Sequence, residues 1–293
     1  MNRTLAQAHA GAGLLRAIIR SDDPYYDRLA LDIKRIITKA EHNIAAGHAK
    51  ELIEALQGGP AAFERAMAIL TNGFRAELGP AVTDAVTKRV VLAYTRGTVD
   101  VLGTTQWEFN LADEKAMKWL GKDATYWVGE YYGPEFSQRV TQLMMPAFDE
   151  GLGLRALRSR LSETLGGEFT RSASYWQGFA NNVTTRSRAF GLTEGATRAG
   201  FQKGRISAIL DGATSTICRT LDGKTVYTAD MRQLRDDLVS ATDPEAVKRI
   251  APWRTSDAEV SSVQQTLAAT GRVPAGLSLP PYHYHCRTFI VFE

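Results

Sequence analysis

Apolar positions recur at helical spacing through the first two thirds of the chain. Asp23-Pro24 is a helix start, a capping side chain followed by proline at the first helical position. Leu29, Ile33, Ile36, Ile37, Ala40, Ile44, Leu52 and Leu56 then fall on one helical face, which predicts a single long helix running to Gly58-Gly59-Pro60. Pro60 opens a second helix carrying Phe63, Met67, Ile69 and Leu70; Gly79-Pro80 should break it, and a third should run from Ala81 towards Val101. Residues 103–112 read as a connection. From Pro134 the pattern is helical to Asp149, with a kink expected at Pro146. After Gly151 and Gly153, the residues Leu154, Leu157, Leu161 and Leu165 form an apolar stripe that Gly166-Gly167 should close. A last helix is expected from about Ser172 to Ala199, burying Trp176, Phe179, Val183 and Phe190.

The texture changes near Gly204. Residues 205–210 are short, β-branched and bounded by glycines, and predict a strand; Asp211-Gly212 and Asp222-Gly223 are turn dipeptides, with Val226 and Tyr227 on a second short strand. Helices follow near Met231 to Val239, from Asp243-Pro244, and from Ser256, where Ser256 and Glu259 form a capping box. The end of the chain, 287–292, reads as another strand. The expected fold is mainly α within the α+β class: an elongated helical region over 1–150, a helical connector over 151–204 and a small α+β domain with a short sheet over 205–293.

Composition narrows the class without naming a function. At 293 residues, 44% hydrophobic and 23% charged, the chain is neither disordered nor collagen-like. No run of eighteen apolar residues occurs, so no membrane partner is expected. His9 and Arg16 interrupt the apolar part of Met1 to Arg20, which does not read as a signal peptide, so synthesis in the cytoplasm is expected. The net charge of +3 is too small for a chain wrapped by nucleic acid. It conceals a local excess, ten basic against five acidic residues between Arg139 and Arg205. Arg155, Arg158, Arg186 and Arg188 are candidates there for contact with DNA phosphates or a protein partner. Trp107, Phe109, Trp119, Tyr126, Trp127, Tyr131 and Tyr132 crowd one stretch, as a core or as a surface for a partner. His42 and His48 lie on the first helix with no carboxylate or cysteine partner in the pattern, and read as polar helix positions.

The usual catalytic signatures are missing. Gly223-Lys224-Thr225 imitates the end of a phosphate-binding loop, but the position that needs the loop's first glycine is Cys218. The two cysteines, Cys218 and Cys286, coexist with His283 and His285, yet nothing in the pattern orients a base for a cysteine nucleophile. A different constellation stands out. Asp211, Thr214, Ser215 and Cys218 precede the turn Leu221-Asp222-Gly223-Lys224; much later come Pro280-Pro281, His283, His285, Cys286 and Arg287, then the terminal strand.

These two elements, in this order, resemble the C-terminal signature of the phage head morphogenesis family of minor head proteins (phage Mu F-like). The resemblance is best from Arg205 onward and weaker back to Leu152, where the helix around Thr184, Thr185 and Arg186 is similar to the family's segment ahead of its first strand. It implies a non-enzymatic minor capsid protein close to the portal, acting in head morphogenesis and in DNA packaging or ejection. It implies the portal protein and other capsid proteins as partners, with non-specific contact to phage DNA. Its place would be the virion, in the capsid interior or at the portal vertex, after assembly in the host cytoplasm. The residues themselves leave three roles open for the cysteines. Cys218, Cys286 and one histidine, His283, with Asp211 or Asp222 completing the set, would suit zinc; His283 and Cys286 would face opposite sides of an extended segment. A disulfide is the second role, and packing, with Arg287 clasped to Asp211 or Asp222, the third. The functional alternative is a metal-dependent nuclease or toxin-like hydrolase using this cluster.

Overall fold

The computed structural model describes residues 24–104, 107–126, 128 and 132–292. The N-terminal stretch with His9 and Arg16, the capping Asp23, and Trp127 and Tyr131 lie outside the described residues. The fold is mainly helical with a small antiparallel sheet near the C-terminus, as the α+β expectation required. Among the described residues, no helix is long and apolar enough to cross a membrane.

Helices α1 (Pro24–Gly47), α2 (Ala49–Ala55) and α3 (Pro60–Gly73) come first. The long first helix expected to reach Gly58 is interrupted at His48, where ψ opens to 3°. Gly79-Pro80 does not break the chain. A π-helical turn, Phe74–Leu78, leads directly into α4 (Gly79–Leu102). Gly79 keeps helical φ and ψ, so the chain passes from the π-helical turn into the next helix without a break. Then come α5 (Leu111–Tyr126), α6 (Tyr132–Asp149, with Pro146 inside it) and α7 (Leu154–Ala199). Gly166-Gly167 does not close a helix: α7 runs through the pair for 46 residues. A mid-helix glycine costs about 1 kcal/mol against alanine but removes no backbone hydrogen bond, so flanking contacts override it.

The C-terminal elements are β1 (Lys203–Ser207), α8 (Thr216–Leu221), β2 (Thr225–Tyr227), α9 (Thr228–Ser240), α10 (Pro244–Ile250), α11 (Asp257–Thr270) and β3 (Phe289–Phe292). The sheet order is β2-β1-β3, with Gly204 opposite Val226 on one side and Phe292 on the other. The strand expected over 205–210 therefore starts and stops earlier. Side chains end it: Asp222 Oδ1 accepts from the Ala208 amide at 2.9 Å, and the Thr214 hydroxyl donates to the Ile209 carbonyl, so neither group stays in the ladder. The capping box at Ser256 forms as expected.

The described residues cluster into two compact units, and neither follows the expected boundaries at 150 and 204. One holds residues up to Ala30, Lys88–Leu120 and Phe179 onward; the other holds Leu31–Thr87 and Gly121–Gly178. In the second unit Ile33, Ile37, Phe63, Leu70, Phe74, Val140 and Trp176 are fully or almost fully buried. Each such side chain contributes about 1.5–3 kcal/mol by leaving water. At its centre sits Glu41, fully buried, accepting hydrogen bonds from the Tyr132 hydroxyl, from Ser172 at 3.0 Å and from Trp176 Nε1 at 3.2 Å. In the first unit the core holds Tyr94, Phe190, Ile206, Leu221, Met231, Tyr282 and Ile290, and it contains the candidate site.

The aromatic-rich stretch divides. Trp119 and Tyr132 are buried, the core reading; Phe109 is exposed and pairs with Trp107 at 4.4 Å between ring centroids, with the Arg198 guanidinium over the Trp107 ring.

Candidate metal centre

The site is built where β1 hands the chain to α8 and where the segment before β3 returns. After β1, Asp211 closes a tight turn: its Oδ1 accepts from the Ala213 amide at 2.9 Å, and its own amide donates to Thr214 Oγ1 at 2.7 Å. Ser215 is the N-cap of α8, its hydroxyl accepting from the Cys218 amide at 3.3 Å. This fixes Cys218 in the first turn of α8. The helix stops at Leu221, which is fully buried. Asp222, Gly223 and Lys224 then turn the chain back onto β1. The Gly223 amide donates to Ile206 O and the Ile206 amide to Lys224 O, both at 2.9 Å. Gly223 takes φ of 72°, a left-handed conformation open to glycine and strained for other residues. The turn motif is therefore a structural device that aligns α8 beside the sheet.

The second element approaches through a cis bond between Pro280 and Pro281, with Pro281 and Tyr282 buried. Residues 283–286 are not extended, which corrects the expected alternation. His285 adopts φ of 61°, and the Cys286 amide donates back to the His283 carbonyl at 3.3 Å. This turn puts His283 and Cys286 on the same side. Thr185 donates its hydroxyl to the Cys286 carbonyl at 3.2 Å and so ties the turn to α7.

Three donor atoms meet as a result. Cys218 Sγ lies 3.2 Å from His283 Nε2 and 3.8 Å from Cys286 Sγ. All three lie within 4.8 Å of one another, with both cysteines buried and His283 half-buried. Both thiols are free. The Cys286 thiol donates towards Cys218 and, against the opposing effect of burial and with the help of the His283 ring, brings the Cys218 thiol down to about 4. Burial, and then the Cys218 charge, push the Cys286 thiol far up. Burial works against a charge on His283, but the hydrogen bond to Cys218 and its negative charge outweigh it and raise the imidazole.

Neither aspartate joins these donors. Arg287 Nη2 donates to Asp211 Oδ1 and Oδ2 at 2.7 and 2.8 Å, and this pair is half exposed. Asp222 Oδ1 is engaged by the Ala208 amide. The clasp expected between Arg287 and an aspartate forms with Asp211. His285 is exposed, and burial together with the charge of His283 lowers its imidazole. A cavity of about 430 Å³ opens beside the cluster, lined in part by Thr185, Arg188, Cys286 and Arg287.

The four arginines proposed for DNA or partner contact separate into two pairs. Arg155 and Arg158 are exposed on α7. Arg186 and Arg188 are buried, which removes them as phosphate contacts. Arg188 stacks its guanidinium on Tyr26 at 4.1 Å and on Phe289 at 5.2 Å from the ring centroids, a packing role in the core. Two charged clusters were not read from the sequence: Glu41 with its donors, and Glu194 with Arg198 and Arg235. Glu194 and Arg198 stand at the i,i+4 spacing of a helical ion pair, but Arg235 and the donors to Glu41 lie far apart along the chain, where no spacing rule operates.

No family model, curated protein or solved structure matches this chain.

Proposed function

We propose that this chain is a bacteriophage minor head protein. It acts near the portal in head morphogenesis, binding the portal and capsid proteins, and contacts DNA non-specifically during packaging or ejection. One observation carries the reading. The two elements that resemble the head-morphogenesis signature are separated by most of the C-terminal region, yet they adjoin in space. Cys218 and Cys286, 68 positions apart, are in contact, and so are Asp211 and Arg287, 76 apart. A chance similarity of two short motifs carries no requirement that they be neighbours. The absence of a phosphate-binding loop around Gly223, whose turn serves the sheet instead, fits a structural role.

The test is physical association. Heads assembled in a host expressing the chain, separated on a density gradient, should carry it in few copies, and a tagged portal protein should retain it. Heads devoid of the protein, with no retention by the portal, would remove this reading.

A second reading, a metal-dependent nuclease or toxin-like hydrolase, is favoured by one feature. Three donors leave the fourth corner of a tetrahedron for water. Zinc-dependent DNA cleavage that disappears in His283→Ala would establish it; intact DNA after prolonged incubation with zinc would dismiss it.

A further inference from the structure

We infer that Cys218, His283 and Cys286 bind a single zinc ion, with water as the fourth ligand, and that this ion clasps α8 to the segment leading into β3. The inference does not depend on the minor-head reading, and either can fail without the other.

Distances decide first. A tetrahedral zinc with Zn–S bonds of about 2.3 Å and Zn–N bonds of about 2.0–2.1 Å spaces two sulfurs by about 3.8 Å and a sulfur and nitrogen by about 3.5 Å. The observed separations are 3.8 Å between the sulfurs and 3.2 Å between Cys218 Sγ and His283 Nε2. A disulfide requires the sulfurs at about 2.05 Å. The site is thus spaced for an ion between the side chains more closely than for a bond joining them.

Donor chemistry decides next. Two sulfurs and an imidazole nitrogen form a soft set that selects zinc over magnesium or calcium, which need oxygen ligands. The imidazole is already oriented: His283 Nδ1 is hydrogen-bonded to the Tyr284 carbonyl, which turns Nε2 towards the sulfurs. Such an outer hydrogen bond fixes the tautomer that a metal needs. The nearby carboxylates are engaged elsewhere, by Arg287 and the Ala208 amide, so the fourth ligand comes from solvent on the half-exposed His283 side.

The ion would do mechanical work. The sheet has three short strands, of which β2 spans Thr225–Tyr227 and β3 Phe289–Phe292. A zinc across α8 and the His283–Cys286 turn would close a long loop of chain beside β1, where a cross-link restricts the unfolded state most.

The test uses the full-length chain purified under reducing conditions, equilibrated with zinc and dialysed free of excess. Elemental analysis should return about one zinc per chain, and cobalt substitution should give thiolate-to-metal charge transfer with tetrahedral d–d bands. Cys218→Ser, Cys286→Ser and His283→Ala should each lose the metal, and His285→Ala should keep it. Should those variants fail to fold, the cobalt spectrum of the unmodified chain decides alone. Zinc absent from the reduced, folded protein, cobalt bands without thiolate charge transfer, or full metal content in folded Cys218→Ser would each overturn the inference.

Discussion

Arg235 Nη1 donates to Glu194 Oε2 at 2.8 Å, and both side chains are buried. The pair links α9 to α7 inside one unit. Glu194 Oε1 also accepts from Arg198 Nε at 2.7 Å and from Asn110 Nδ2 at 3.2 Å, so its charge is fully solvated by protein.

Removing one member leaves the other charge buried. Arg235→Ala should cost about 3–5 kcal/mol, towards the lower end because Arg198 still faces Glu194. Urea denaturation at neutral pH measures it, and an unchanged midpoint would contradict the pairing. The pH dependence has a definite sign. Burial opposes ionisation of Glu194, but Arg198 and Arg235 outweigh it and hold the carboxyl below its usual value. Its contribution is therefore present above the unfolded carboxyl value of about 4.3, and is lost as pH falls through the lower folded value.

Glu41 should behave in the opposite way. Burial raises its carboxyl despite the hydrogen bonds from Tyr132, Ser172 and Trp176. The folded state then holds the proton more tightly than the unfolded chain, so this group stabilises most at low pH and destabilises as pH rises through its folded value. Glu41→Gln should gain stability relative to the parent as pH rises from the unfolded carboxyl value of about 4.3 through the higher folded value. Parallel stability curves for the two proteins over that range would refute the buried-carboxyl account. Glu41→Ala should instead be destabilising, since each orphaned buried donor costs about 1–3 kcal/mol.

Gly191 packs directly against the backbone of α4. A Cβ built there would lie 2.0 Å from the Tyr94 carbonyl oxygen, and Thr98 donates its hydroxyl to Gly191 O at 3.2 Å. Gly191→Ala must push the two helices apart and should cost about 1–3 kcal/mol, read as a fall in thermal midpoint. Gly167→Ala, also within α7 but with nothing within 4 Å of the added carbon, is the control for helix propensity alone and should raise the midpoint.

DNA contact, where it occurs, should involve only the exposed arginines. The double change Arg155→Gln and Arg158→Gln should flatten the dependence of log affinity on log salt by about 0.9 for every phosphate these side chains neutralise. Arg188→Gln should change stability instead, because its guanidinium packs on Tyr26 and Phe289. A salt slope altered by Arg188→Gln in a folded protein would reverse this assignment.

Local rules carried much of the fold. Pro60, Ser256 and Asp243 mark helix starts where the structure has them, and the apolar spacing of Leu29, Ile33 and Ile37 identifies a buried face. The same rules failed where long-range packing outweighs propensity, as at Gly79-Pro80 and Gly166-Gly167, each a local cost of a kind that tertiary contacts exceed. The candidate site was legible as residue types, since cysteine and histidine are rare here and stand in two distinctive motifs. Its geometry was not, because the alternation rule presumes an extended backbone and His285 leaves that region.

The sequence by itself determined the helical class, the turn at Asp222-Gly223 and the two motifs in which Cys218, His283 and Cys286 stand. These depend on interactions within a few residues, which the order of amino acids specifies directly. Only the tertiary structure decided that Asp211 meets Arg287, that Arg186 and Arg188 are interior, and that Glu41 and Glu194 are buried and hydrogen-bonded. Such pairings join residues tens of positions apart. They are selected by the packing of whole helices, which no local spacing encodes.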